Sequence, residues 1–120
     1  MKQKAQFIIC QAKNGLFAAR SRNKCSKMYL PGGVLGMRDT LESLCRAQGW
    51  IVEKGELVHA EEMENHYCEW YTATVKKIDN GYSHWVSRET IERYDEIGDI
   101  ALSYYDDWLE AKNESADSTE

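Results

Sequence analysis

The only proline of this 120-residue chain, Pro31, stands directly before Gly32 and Gly33, and that triplet constrains the fold more than any other stretch. Proline fixes φ and glycine opens the left-handed region, so together they demand a sharp turn whose backbone can approach a ligand closely. The segments on either side differ in kind. Before the turn, a strand is expected over residues 5–12 around Phe7-Ile8-Ile9-Cys10. Asn14-Gly15 then turns the chain, Leu16 to Ala19 returns as a second strand, and a basic loop runs from Arg20 to Lys27. After the turn, Asp39 and Glu42 have the spacing of a capping box. Leu41, Leu44 and Cys45 share one face of a short helix, and Gln48-Gly49 stops it.

The rest of the chain alternates strand and helix signals. Trp50-Ile51-Val52 and residues 56–63 read as strands, and His66 to Val75 as the best one, with Cys68, Trp70, Thr72 and Thr74 on one face. Asp79-Asn80-Gly81 turns the chain, so Tyr82 to Val86 is expected as the hairpin partner of that strand. Ser87 can cap a short helix ending near Arg93. A closing helix follows, in which Ile97, Ile100, Ala101, Tyr104, Tyr105, Trp108 and Leu109 recur at helical steps. The pattern predicts one α/β domain over residues 1–111 and an acidic, disordered tail over residues 112–120.

Composition removes several alternatives. At 42% hydrophobic residues the chain is expected to be globular, and it has no apolar run of the ~18 residues that a membrane span needs. The apolar stretch Phe7 to Cys10 is shorter than the ~7–15 residues of a signal peptide's core, so a cytoplasmic location is expected. Cys10, Cys25, Cys45 and Cys68 form no CxxC pair and are expected as reduced, packed thiols rather than a zinc site.

Charge is divided along the chain. Residues 1–38 hold Lys2, Lys4, Lys13, Arg20, Arg22, Lys24, Lys27 and Arg38 and no acid, a net +8. The remaining residues carry seven basic groups and all twenty acids, a net −13. A basic end suits phosphate, whether of a nucleotide or of a nucleic acid, although an ordinary solvated loop would have the same composition.

The run Leu16-Phe17-Ala18-Ala19-Arg20, followed by Tyr29-Leu30-Pro31-Gly32-Gly33, resembles the opening of a Nudix domain. Gly49-Trp50 resembles the end of the Nudix box, and His84 to Ile91 the family's tryptophan-bearing strand and short helix. The closing helix sits where the family's last helix belongs. The resemblance covers residues 5–110 and implies a Nudix-like α/β/α sandwich with a mixed sheet. Nudix hydrolases cleave a nucleoside diphosphate linked to another group, using Mg²⁺ held by glutamates of the box helix.

The box departs from the family pattern where the metal should bind. Six positions beyond Gly33 comes Asp39, an acidic stand-in for the first glutamate, but direct counting then puts Gln48, Ile51 and Val52 at the metal positions. Aligning Gly49 with the terminal glycine instead leaves about five residues missing, the ones that would carry the ligands. The resemblance therefore implies no metal and no cofactor, with Asp39 and Glu42 as weak catalytic candidates if Mg²⁺ is recruited after all. The expected ligand-binding residues are Arg20, Arg22, Lys24, Lys27, Gly32 and Gly33, and Tyr71, Tyr82 or Trp85 could stack on a base. Two functions stay open. One is a nucleotide- or RNA-phosphate-binding protein, or a module for a protein partner, that has lost hydrolysis. The other is a divergent Mg²⁺-dependent hydrolase of nucleoside diphosphate derivatives.

Overall fold

Burial on both faces from Ala5 onward makes the first strand the centre of the molecule. The computed structural model describes residues 2–22 and 27–117. Strand β1 (Gln3–Ile9) turns Ile8 to one side and Ala5, Phe7 and Ile9 to the other. It pairs antiparallel with β4 (Gly32–Val34) and parallel with β6 (His66–Lys77), which is bordered by antiparallel β5 (Trp50–Glu62). This mixed sheet has the order β4-β1-β6-β5. A second sheet, in the order β3-β2-β7, consists of β2 (Phe17–Ser21), β3 (Met28–Tyr29) and β7 (Ser83–Val86).

Helices cover both faces. Helix α1 (Leu41–Ala47) packs Leu41 and Cys45 with Ile8, Ala18, Trp50 and Val52. On the opposite side, α2 (Arg88–Tyr94) and α3 (Glu96–Asp117) pack Ile91, Ala101, Leu102 and Tyr105 with Ala5, Ile9, Cys68 and Trp70. This is the expected α/β/α arrangement with a mixed sheet. No helix among the described residues is long and apolar enough to cross a membrane.

Several local expectations change. Asn14-Gly15 does reverse the chain, with Ala12 N–H donating to Leu16 O at 2.8 Å, but only the single bridge Gln11–Phe17 joins the two arms. Beyond it, β1 and β2 diverge into different sheets. Nor is β7 the hairpin partner of β6: it pairs with β2, Ala18 opposite Trp85, because both edges of β6 are already taken by β1 and β5. The two strands expected over residues 50–52 and 56–63 are one continuous β5, carried past Gly55 by register shifts between Lys54 and His59.

The start of the first helix and the end of the last one also move. The cap of α1 is Thr40, whose hydroxyl accepts from Ser43 N–H while the Ser43 hydroxyl accepts from Thr40 N–H. Asp39 instead accepts from Gly36 N–H at 2.9 Å and closes the preceding turn. In α3, Ile97 and Ile100 are exposed, and the buried stripe is Ala101, Leu102 and Tyr105. That helix runs on through residues 112–117, into the stretch expected as a tail, with Lys112 paired to Glu56 at 2.7 Å.

Candidate functional site

The Pro31-Gly32-Gly33 turn is fixed from three directions. Leu30 is buried and donates its N–H to Asp95 Oδ2 at 2.9 Å, and Pro31 O accepts from Ile8 N–H at 3.0 Å. Gly32 holds φ +115°, and a Cβ there would run into Gln6 O and stand 2.8 Å from Phe7 Cα, so only glycine allows this approach to β1. From the end of α1, Gln48 takes both polar atoms of the same residue. Gly32 N–H donates to Oε1 at 2.8 Å, and Nε2 donates to Gly32 O at 2.9 Å. A carboxylate could accept the first bond but not donate the second.

Beside this turn, register sets two arginines around one aromatic ring. Arg20 on β2 lies opposite Tyr29 on β3, and its Cζ sits 5.3 Å from the Tyr29 ring centroid, with the Cζ of Arg22 at 5.4 Å. Among the described residues, the buried Arg20 Nε has no hydrogen-bond partner. Burial and then the neighbouring charge of Arg22 press the Arg20 pKa below its usual value, with Asp95 pulling the other way. Both guanidiniums border two cavities. One, of about 550 Å³, is otherwise lined chiefly by Phe7, Tyr29, Leu30, Val34, Asp95 and Ile97. The other, of about 180 Å³, is lined by Ser21, Ala47, Gln48 and Tyr82.

Asp95 joins the turn to the long helix. Its Oδ1 accepts from Gly98 N–H at 2.8 Å, in the first turn of α3, while Oδ2 holds Leu30. Burial raises its pKa, and the hydrogen bonds from Leu30 and Gly98 and the charge of Arg20 act against that rise.

No family sequence model and no curated protein sequence matches the chain. Solved structures do. A Nudix hydrolase from Nitrosomonas europaea superposes with a TM-score of 0.63 over 93% of this chain and 91% of that one, at 12% identity. A MutT protein from Methanosarcina mazei Go1 superposes with a TM-score of 0.50 over 92% and 95% of the two chains, at 15% identity. The chain has the Nudix fold.

Within this Nudix fold the expected site residues separate. Arg20, Arg22 and Gly33 border the larger cavity. Gly32 is buried and lines neither cavity, its N–H already engaged by Gln48. Lys27 is exposed and borders neither cavity, and Lys24 and Cys25 lie outside the described residues. Asp39 and Glu42 are exposed at the start of α1 and border neither cavity. Tyr82 lines the smaller one, Tyr71 lies under the Lys54 ammonium, and Trp85 packs edge-on against Trp50.

The residues present do not fit the magnesium of a Nudix hydrolase. Helix α1 ends at Ala47, and the positions counted as metal sites become a cap (Gln48), an exposed strand residue (Ile51) and a core residue (Val52). Among the described residues no group of three His, Cys, Asp or Glu could hold a metal ion. Tyr29 and Asp95 were not expected at the site, and Gln48 was expected to stop α1, which it caps, but not to clamp Gly32. Asp95 carried a usable signal, an aspartate immediately before a long amphipathic helix.

Proposed function

We propose that this Nudix-fold chain binds a phosphorylated ligand of nucleotide type beside the Arg20–Tyr29–Arg22 cluster and does not catalyse metal-dependent pyrophosphate hydrolysis. The observation that carries the reading is the pair Arg20 and Arg22, which flank one tyrosine ring and both border the 550 Å³ cavity. A phosphate group offers several acceptor oxygens to two adjacent guanidiniums and shares their charge. Largely apolar walls beside two cations suit a ring-bearing phosphate ester.

The test is a titration of nucleotides and short 5′-phosphorylated RNAs against the wild type and the Arg20→Ala/Arg22→Ala variant, at low and high salt. Binding should weaken with salt and lose more than about 1 kcal/mol in the variant, the scale of a charged hydrogen bond. If no phosphorylated ligand binds the wild type at low salt, the reading fails and a docking role for an acidic protein partner replaces it.

A second reading, a divergent Mg²⁺-dependent hydrolase, is favoured by the fold shared with the Nitrosomonas Nudix hydrolase. Metal-dependent cleavage of a nucleoside diphosphate derivative at roughly 1 per second or faster would establish it. Its loss in Asp39→Asn or Glu42→Gln would identify the acids responsible.

A further inference from the structure

Among the described residues, only Arg20 and Arg22 line both cavities described above, so the arginine pair stands where the two meet. The two sides differ in charge. On the larger side Asp95 and Glu96 stand with the arginines and offset them, and the rest of the described lining is mostly apolar or aromatic, including Phe7, Leu30, Val34 and Ile97. On the smaller side the described residues that join the arginines are Ser21, Ala47, Gln48 and Tyr82, none of them a carboxylate. An anion is therefore favoured on the smaller side and an uncharged ring on the larger.

Resting on the phosphate-binding reading, we propose that the ligand is a nucleoside di- or triphosphate taken in its metal-free form. Its base occupies the larger cavity and its outer phosphates sit in the smaller one against Arg20 and Arg22. In solution Mg²⁺ binds such a ligand through the same outer phosphate oxygens that a guanidinium fork needs, and it keeps its waters tightly. Among the described residues the smaller cavity has no carboxylate with which to accept the ion. The larger one has Asp95, whose two oxygens already take N–H bonds from Leu30 and Gly98. Mg²⁺ must then be stripped from the ligand before it docks, and it competes with the protein for the phosphates.

The test is calorimetric titration of ATP and GTP into the full chain, in EDTA and in excess MgCl₂ at matched ionic strength, with AMP and GMP as weakly Mg²⁺-binding controls. Mg²⁺ should weaken triphosphate binding by about tenfold or more, the equivalent of one lost charge-assisted hydrogen bond, and change monophosphate binding by less than about twofold. Ala47→Glu adds a carboxylate at the exposed last residue of α1, on the smaller cavity, without touching the Gln48 bonds. It should weaken triphosphate binding in EDTA and shrink the Mg²⁺ effect. Triphosphate binding that is unchanged or tighter in Mg²⁺, or unchanged in EDTA by Ala47→Glu, overturns this proposal while leaving phosphate binding itself intact. Absence of nucleotide binding in either buffer overturns both.

Discussion

The indole N–H of Trp50 donates to the carbonyl of Ala19 at 2.8 Å, between two side chains with no exposed surface. This bond ties the first residue of β5, in the four-stranded sheet, to β2 in the three-stranded one. Trp50→Phe keeps an aromatic ring but removes the donor and part of the packing. Its expected cost is about 1–3 kcal/mol in urea unfolding, against about 3–5 kcal/mol for Trp50→Ala. Equal stability of Trp50→Phe and wild type would show that the bond contributes nothing.

Gln48 is expected to behave as an amide and not as a degenerate glutamate. Gln48→Glu keeps the acceptor for Gly32 N–H but sets a carboxylate oxygen against Gly32 O, where the side chain now donates. Both Gln48→Glu and Gln48→Ala should lose roughly 1–3 kcal/mol of stability at neutral pH. A Gln48→Glu protein as stable as wild type, or one that gains Mg²⁺ affinity by calorimetry, would contradict the clamp.

Two glycines with similar backbone angles should respond very differently to alanine. At Gly32 (φ +115°) the new Cβ meets the backbone of β1, which cannot yield, whereas at Gly81 (φ +87°) it meets nothing within 4 Å. Gly81→Ala should cost about 1–2 kcal/mol of conformational strain. Gly32→Ala adds steric overlap to that strain and should cost more than about 4 kcal/mol or abolish folding. Circular dichroism melts of the two variants decide the matter.

Asp95 makes stability depend on acid in an unusual sense. Its folded pKa lies above the ordinary 3.8, so between the two values the folded chain holds more of the proton than the unfolded chain does. The contribution of Asp95 therefore grows as pH falls from above the raised folded value to the unfolded one. It is lost again as pH rises through the folded value. The stability gap between wild type and Asp95→Ala, measured by urea titration at steps from pH 7 to pH 3, should widen towards acid. A gap that narrows towards acid would mean that the hydrogen bonds from Leu30 and Gly98, with Arg20, outweigh burial.

Much of the frame was legible in the chain because local signals agreed with long-range ones. Leu41 and Cys45 at helical spacing did become the buried face of α1, and Ser87 did cap α2. Strand partnership was less legible. Nothing near Asn80-Gly81 reveals that both edges of β6 are occupied by segments far away in sequence, so a turn that reads as a hairpin instead carries β7 to the other sheet. At the site, Arg20 and Arg22 could be read from the charge and from the turn that follows. Tyr29 and Asp95 could not, because their roles depend on the β2–β3 register and on the α3 terminus meeting Leu30. Ile97 and Ile100 were misread because a helical repeat gives a face but not where the neighbouring layer ends.

The central pair of strands has one more consequence. Side chains of β1 and β6 enter both hydrophobic clusters, Ile8 and Tyr71 on the α1 side, Ile9 and Trp70 on the α3 side. Loosening either helix layer leaves these strands packed on their other face, so opening their ladder requires both layers to fail together. In hydrogen–deuterium exchange the amides exchanged between β1 and β6 should be the slowest in the protein, their protection approaching the free energy of global unfolding. Amides of the two-residue β3, at the edge beside the arginines, should exchange by local opening and register a bound ligand first.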